Sequence, residues 1–227
     1  LPHKRELEYA AQHLTTIEIN GTFYRTQTPD SFKKWRDETP DNFVFSVKAP
    51  RYAVNKRVLS EAGPSVDRFM ESGLHELGPK LGPVLWQFAA TKKFDPEDFG
   101  NFVKLLPADV HGLPLHHALE VRHRSFDCEA FHALARDAKA AVVLADSDDY
   151  PYIDAKTGPF RYLRLMRTVE EIETGYSAED LESWTNRIQA MASDGTDVFV
   201  YFISGAKVRA PAAAQAFLAQ LSPTSEP

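Results

Sequence analysis

Cysteine is nearly absent from the 227-residue chain, where Cys128 stands alone. That excludes an intramolecular disulfide framework and a thiolate-rich zinc site. A lone thiol suits a reducing compartment, so the cytoplasm is the expected location. Long apolar runs are missing too: stretches such as residues 140–145 fall far short of the ~20 residues a spanning helix needs, and no membrane is expected as a partner. Positive charge is in deficit, with 26 Lys+Arg against 32 Asp+Glu and a formal net charge of −6. Broad coating of nucleic acid needs the opposite balance. The chain also lacks a G-x-G-x-x-G fingerprint, a Walker loop and a G-x-S-x-G elbow. His111, His116, His117 and His123 cluster in sequence, but at spacings that match no compact metal motif.

What is present is ordinary for a globular protein, with 43% hydrophobic and 26% charged residues. A chain of this size buries roughly 70% of its unfolded surface, so it can fold without metal or disulfide. With no linker or repeat, one domain is expected over residues 1–227, ending in a polar tail at 222–227 that should fray. Segments dense in β-branched, aromatic or aliphatic residues predict strands at 14–19, 43–48, 83–88, 117–122, 141–146, 160–166 and 197–203. Thr28-Pro29, Gly63-Pro64 and Asp95-Pro96 predict helix starts, opening helices over 29–38, 64–77 and 96–106. Asp127 and Ser177 are expected N-caps for helices over 128–138 and 178–192, with further helices over 4–13 and 210–221. Residues 147–159 read as loop. Alternating strands and helices imply a parallel sheet with crossover helices. A leading helix followed by seven strand units is the order of a TIM-type (β/α)8 barrel with seven of its eight strands in the visible chain. Leu1 is not an initiator methionine, so the first strand is expected to precede it.

Alternation along each strand predicts which side chains face the barrel axis. With Ile17 and Ile19 under the helices, Glu18 and Asn20 turn inward. The same parity turns Ser46 and Lys48, Glu120 and Arg122, and Tyr162 and Arg164 inward, and sets Gln87 opposite Trp86 and Phe88. With Val143 and Ala145 assigned to the helix side, Asp146 turns inward as well. These residues lie at the carboxyl ends of the strands, where catalytic groups of this fold gather. Glu120–Arg122 and Glu18–Lys48 could also pair for structure alone, although desolvating so many charges for that purpose is costly. Lys48, Arg51, Lys56 and Arg57 share one segment and would draw a phosphate or carboxylate.

The blocks T-I-E-I-N-G-T-F-Y (residues 16–24) and W-R-D-E-T-P-D-N-F-V-F-S-V-K-A-P (residues 35–50) resemble the domain-of-unknown-function family 72, the YecE-like proteins. L-W-Q-F, L-E-V-R-H-R-S-F, V-L-A-D, Y-L-R-L and V-Y-F follow in the family's order, so the resemblance spans essentially the whole chain. It implies a TIM-type barrel whose first strand, carrying a G-T-S-G-W-like motif, is missing here. It implies no particular activity. Glu18, Asn20, Tyr24, Lys48, Gln87, Glu120, Arg122, Asp146 and Arg164 keep the family pattern, with Asn20 and Tyr24 expected at the pocket edge. Met166-Arg167 stands where His-Gly is usual, and Ile203-Ser204 where Asn-Asn is common. Whatever those residues do in relatives does not carry over.

The leading expectation is an enzyme acting on a small anionic ligand, a sugar or nucleotide phosphate, at the barrel mouth. Glu18, Lys48, Glu120 and Asp146 are the catalytic candidates, with Glu120 or Glu18 as general acid/base and Lys48 as electrostatic stabiliser or Schiff-base amine. Arg122 and Arg164 would hold the anion, while Gln87, Asn20 and Tyr24 complete the ligand contacts. No cofactor or metal is expected. The alternative places Mg²⁺ or Mn²⁺ on Glu18, Glu120 and Asp146, giving a metal-dependent phosphodiesterase, nuclease or sugar isomerase by fold analogy. A third reading is a non-catalytic ligand-binding protein. Nucleic acid is a less favoured partner, and the oligomeric state is not legible.

Overall fold

The computed structural model describes residues 5–221. The first elements are α1 (Glu6–His13), β1 (Thr16–Ile19), α2 (Gly21–Tyr24), α3 (Pro29–Asp37), β2 (Val44–Lys48), α4 (Arg51–Val54), α5 (Gly63–Met70) and β3 (Leu81–Gln87). The middle holds α6 (Pro96–Val103), β4 (Asp109–Val110), β5 (Leu113–Pro114), β6 (His117–Glu120), α7 (Glu129–Asp137) and β7 (Ala141–Asp146). The last are β8 (Phe160–Leu165), α8 (Ala178–Ala192), β9 (Asp197–Phe202) and α9 (Ala210–Leu221).

Seven strands form one parallel sheet in the order β1-β2-β3-β6-β7-β8-β9, while β4 and β5 make a small antiparallel pair. The sheet curls into a nearly closed barrel with helices between its strands. Its edges β1 and β9 share no backbone ladder. They face one another across a cavity of about 420 Å³ walled by Thr16, Glu18, Val200, Phe202, Ile188 and Phe217, among others. A side-chain hydrogen bond between Thr16 Oγ1 and Tyr201 Oη, 2.9 Å, links the two edges. No helix of the described residues is long and apolar enough to cross a membrane. The tail at 222–227, like Lys4 of the first expected helix, lies outside the described residues.

Local chemistry sets the helix starts. Thr28 accepts from the Ser31 N–H at 3.3 Å, Asp95 from the Glu97 and Asp98 N–H groups at 3.0 Å, and Ser177 from the Asp180 N–H at 3.1 Å, each satisfying a donor the helix cannot. Asp127 does not cap: Cys128 occupies the N-cap position of α7, one residue later than expected. The helix expected over 64–77 breaks after Met70 because Gly73 adopts φ 108°, in the left-handed region, and 3-10 turns replace it over Leu74–Lys80. Residues 147–159 contain neither helix nor strand.

The inner strands β3, β6, β7 and β8 are buried on both sides, as parallel strands flanked by helices are, while the edges β1 and β9 are less so. Phe45, Val47, Val84, Trp86 and Leu119 pack outward against helical Phe99, Phe102 and Phe131, and Leu163 and Leu165 against Leu181, Ile188 and Phe217. Inside, Leu85, Ala118, Ala141, Val143, Phe160, Tyr162 and Tyr201 fill the barrel axis. Each such large side chain contributes roughly 1.5–3 kcal/mol by leaving water. This apolar floor supports the polar layer above it.

One irregularity decides where that layer points. Phe45 pairs with Leu81 but Val47 pairs with Val84, so β3 carries one more residue than β2 at Gly82-Pro83. Proline has no N–H for a ladder and glycine permits close approach, the residue types a bulge favours. The Ser46 hydroxyl donates to the Pro83 carbonyl at 3.0 Å. Beyond the bulge Lys48 registers with Leu85, and both turn to the axis. A Cβ on Gly82 would press into Val44 and lie 3.0 Å from the Phe45 carbonyl oxygen. Gly82→Ala is therefore expected to destabilise the protein by about 1–3 kcal/mol, lowering Tm by roughly 3–10 °C. A thermal melt no lower than wild type would show that the bulge has room to relax.

Candidate functional site

Five strand ends deliver one polar layer across the axis. Lys48 closes β2, Gln87 β3 and Glu120 β6, while Glu18 stands one residue from the end of β1 and Arg164 one from the end of β8. Arg164 is the hub. Its Nε and Nη2 donate to Glu18 Oε2 and Oε1 at 3.0 and 2.9 Å, and its Nη1 donates to Glu120 Oε2. All three side chains are essentially dry, with Arg164 4%, Glu18 2% and Glu120 0% exposed. Glu120 also accepts from Gln87 Nε2 and from Arg122 Nε, both at 2.7 Å. Glu18 accepts from the Tyr162 hydroxyl at 2.9 Å, and that hydroxyl lies 2.8 Å from Ser46 Oγ. Burial alone would raise the Glu120 pKa, but Arg164 and Arg122 hold it below the usual carboxylate range. Burial and the Glu18 charge push the Tyr162 phenol well above its ordinary value.

Lys48 sits in the same layer but outside this web. It is 6% exposed, and among the described residues no carboxylate comes within 4.0 Å of its Nζ. The ammonium makes one long hydrogen bond to Asn20 Oδ1, 3.3 Å, and lies 4.4 Å from the centre of the Phe23 ring. Burial, reinforced by the Arg164 charge, lowers its pKa to about 8. Three cations (Lys48, Arg122, Arg164) meet two carboxylates (Glu18, Glu120) here. One positive charge is left over, and the geometry puts it on Lys48.

The other candidates divide. Arg122 joins the site: its Nη1 donates to the Tyr150 hydroxyl at 3.1 Å, its guanidinium lies 4.2 Å from the centre of that ring, and its Nη2 makes no hydrogen bond among the described residues. Asn20 stands at the rim beside Lys48. Tyr24 is 75% exposed on α2, and its ring meets Phe23 edge-on at 5.1 Å. Asp146 does not face the axis. In the ladder Ala145 pairs with Arg164 and Asp146 with Leu165, so Val143 and Ala145 point inward and Asp146 lies on the helix side. There Arg167 Nε pairs with it at 3.2 Å, while burial, outweighing Arg167, raises its pKa. The sequence A-A-V-V-L-A-D is apolar at both parities, so alternation carries no information in β7. Arg164, expected to hold a ligand anion, commits its donors to the protein's own carboxylates. Phe23, Tyr150 and Tyr162 were not anticipated as parts of the site. The Y-L-R-L parity turns Tyr162 inward but gives it no role, and Tyr150 lies in a loop with no periodic signal.

Across residues 1–227 the chain matches the family model described as "Protein of unknown function DUF72". UPF0759 protein YecE of Escherichia coli (strain K12) is 29% identical over 123 residues, covering 53% of this chain and 42% of that protein, so the chain spans less than half the length of this relative. UPF0759 protein YunF of Bacillus subtilis (strain 168) is 22% identical over 233 residues, covering 88% and 80%. Among solved structures, a DUF72 family protein (TM1631) of Thermotoga maritima MSB8 superposes with a TM-score of 0.75 at 23% identity, over 97% of this chain and 90% of that one. D-psicose 3-epimerase, crystallised in the presence of D-fructose, has a TM-score of 0.57 at 12% identity over 94% and 90%. At these identities the superpositions establish the barrel fold alone.

Two stability experiments test this electrostatic layout. Arg164→Met leaves two buried carboxylates without their counter-charge, which is expected to cost about 3–5 kcal/mol at pH 7 by urea unfolding. In the wild type the depressed Glu120 pKa contributes stability that is complete above the ordinary carboxylate value and is lost as pH falls through the folded one. The variant's bare carboxylates gain by protonation, so its deficit should narrow as the pH falls from 7 towards about 4.3. A deficit independent of pH would contradict the pairing. For Lys48 the sign is opposite: its folded pKa lies below the unfolded value near 10.4, so the buried ammonium destabilises below about pH 8 and is relieved above it. Lys48→Met should therefore be more stable than wild type by roughly 1–2 kcal/mol at pH 7, after allowance for solvent screening. The advantage should shrink between pH 8 and 10.

Proposed function

Because the chain belongs to the DUF72 family, whose function is unknown, its activity is read from its own barrel mouth, and we propose that it binds a small anionic metabolite of sugar-phosphate or nucleotide-phosphate type there and acts on it as an enzyme. The observation that carries this reading is Lys48: a buried ammonium with no counter-ion, in a layer whose carboxylates are already neutralised. A buried charge without a partner is unfavourable unless something supplies the partner. An oxyanion would do so, bridging Lys48 and the free Nη2 of Arg122 through charge-assisted hydrogen bonds.

The site's proton chemistry follows from the same layout. Glu18 and Glu120 receive hydrogen bonds from the protein's own donors at both oxygens, and Arg164 and Arg122 hold Glu120 ionised, which leaves proton transfer near neutral pH to another group. Lys48, with its pKa lowered to about 8, is matched to that task. The acid/base role thus moves from the carboxylates to the amine, while Glu120 orients Arg122 and Gln87. A divalent cation on Glu18 and Glu120 would have to displace Arg164 from both.

A thermal-shift series at low salt tests the reading with inorganic phosphate, sugar phosphates, nucleotides and uncharged sugars. A ligand at ~100 times its Kd adds about 2.7 kcal/mol, roughly 5–10 °C in Tm for a chain of this size. The anions should shift Tm and the uncharged sugars should not. Lys48→Met and Arg122→Ala should lose the response. Equal shifts in wild type and both variants, or no shift with any anion, would sink the proposal.

A further inference from the structure

We propose that Lys48 is a nucleophile, and that the ligand of this site is a carbonyl compound, an aldehyde or ketone carrying an anionic group, with which the Lys48 amine forms an imine. The inference rests on the anion site above and deepens it by naming the reacting group. An amine serves as a nucleophile when its neutral form is accessible, and burial beside apolar surface and other cations makes it so. Lys48 meets each condition by position. Its Nζ is buried near the Arg164 charge with one polar contact, Asn20 Oδ1 at 3.3 Å, and these outweigh the Phe23 ring face 4.4 Å away, a cation–π contact that favours the ammonium. Both nearby carboxylates, which would lock it as an ammonium, are drawn away by Arg164. The surrounding charges are Glu18 on β1, Glu120 and Arg122 on or beyond β6, and Arg164 on β8. Arg164 and Arg122 disfavour the ammonium, Glu18 and Glu120 favour it, and desolvation outweighs them, bringing its pKa to about 8.

The peptide carbonyl of Lys48 is itself fixed, because the Thr22 hydroxyl donates to it at 2.6 Å and to the Ile19 carbonyl at 3.1 Å. That anchor holds the base of the lysine stem against β1, so the amine's position is set by the fold. One guanidinium donor remains for the ligand. Arg122 Nη2 takes the anionic group, and the Tyr150 ring stacked on that guanidinium at 4.2 Å helps fix its orientation. In the step itself the neutral amine adds to the carbonyl carbon, forming a C–N bond as the C=O π pair moves to oxygen. The oxygen then leaves as water with both amine protons, giving C=N. The step is redox-neutral and needs no further reactant.

Reductive trapping tests this on the wild-type chain. Glyoxylate and glycolaldehyde phosphate serve as the carboxylate and phosphate forms of the probe, below stoichiometric concentration, with borohydride supplying the hydride. Peptide mapping by mass spectrometry should place the reduced adduct on Lys48 at least about tenfold above exposed Lys104 and Lys207, and inorganic phosphate should suppress that labelling. Glyoxylate labelling without glycolaldehyde phosphate labelling would assign a 2-oxo acid, and the reverse a phosphorylated carbonyl. The Lys48→Arg variant keeps the charge but not the nucleophile, and should lose the selective adduct while retaining the phosphate-induced shift in Tm. Labelling of Lys48 no greater than that of the exposed lysines overturns the imine. If anions still shift Tm in that case, the anion site stands and the nucleophile alone falls; if they do not, both fall.

Discussion

The clamp of Arg164 on Glu18 and Glu120 is the constraint from which the rest of the barrel mouth follows. One guanidinium from β8 reaches β1 on one side and β6 on the other, and its planar fork satisfies two carboxylates at once. Buried ion pairs of this kind contribute little net stability compared with well-packed apolar residues. Their value lies in geometry: with its partners fixed, Glu120 can hold Gln87 and Arg122 in place, and Glu18 can hold Tyr162. The same pairing removes both carboxylates from reach of Lys48. The amine's poised state is thus a by-product of where Arg164 points.

Below that layer the structure is built to keep it dry. Tyr162 bridges the two regimes, its ring among the apolar residues of the axis and its hydroxyl between Ser46 and Glu18. The bulge at Gly82-Pro83 is equally consequential, since it shifts the phase of β3 by one residue. Without it Leu85 and Gln87 would turn towards the helices, and Glu120 would lose a donor. A backbone irregularity of one residue therefore supports a side-chain network three strands wide.

How much of this was legible in the sequence depends on the strand. In T-I-E-I and Y-L-R-L a charge interrupts an apolar series, and the direction of Glu18 and Arg164 can be read by parity alone. In A-A-V-V-L-A-D nothing interrupts it: both faces are buried, and the direction of Asp146 came out reversed. The alternation of strands and helices survived because it depends on composition over many residues, whereas the helix over 64–77 failed on the backbone angle of Gly73. Of the two pairings the strands suggested, Glu120–Arg122 forms, whereas Glu18 takes Arg164 and not Lys48. The chain shows three cations near the strand ends but not that Arg164 is fully committed and Lys48 is free, since that depends on distances between β1, β6 and β8.

The seam between β1 and β9 gives the clamp a second meaning. Among the described residues the backbone ladder runs from β1 to β9, and across the seam the contacts are made by side chains: the Thr16–Tyr201 hydroxyl pair below, joining β1 to β9, and the Glu18–Arg164 pair above, joining β1 to β8. Side-chain clasps open more readily than ladders. An anion that drew Arg164 towards itself would undo the upper clasp, and one that settled on Lys48 would leave it fastened. Which cation of the mouth a guest engaged would thus decide whether that side-chain contact across the seam is kept or given up.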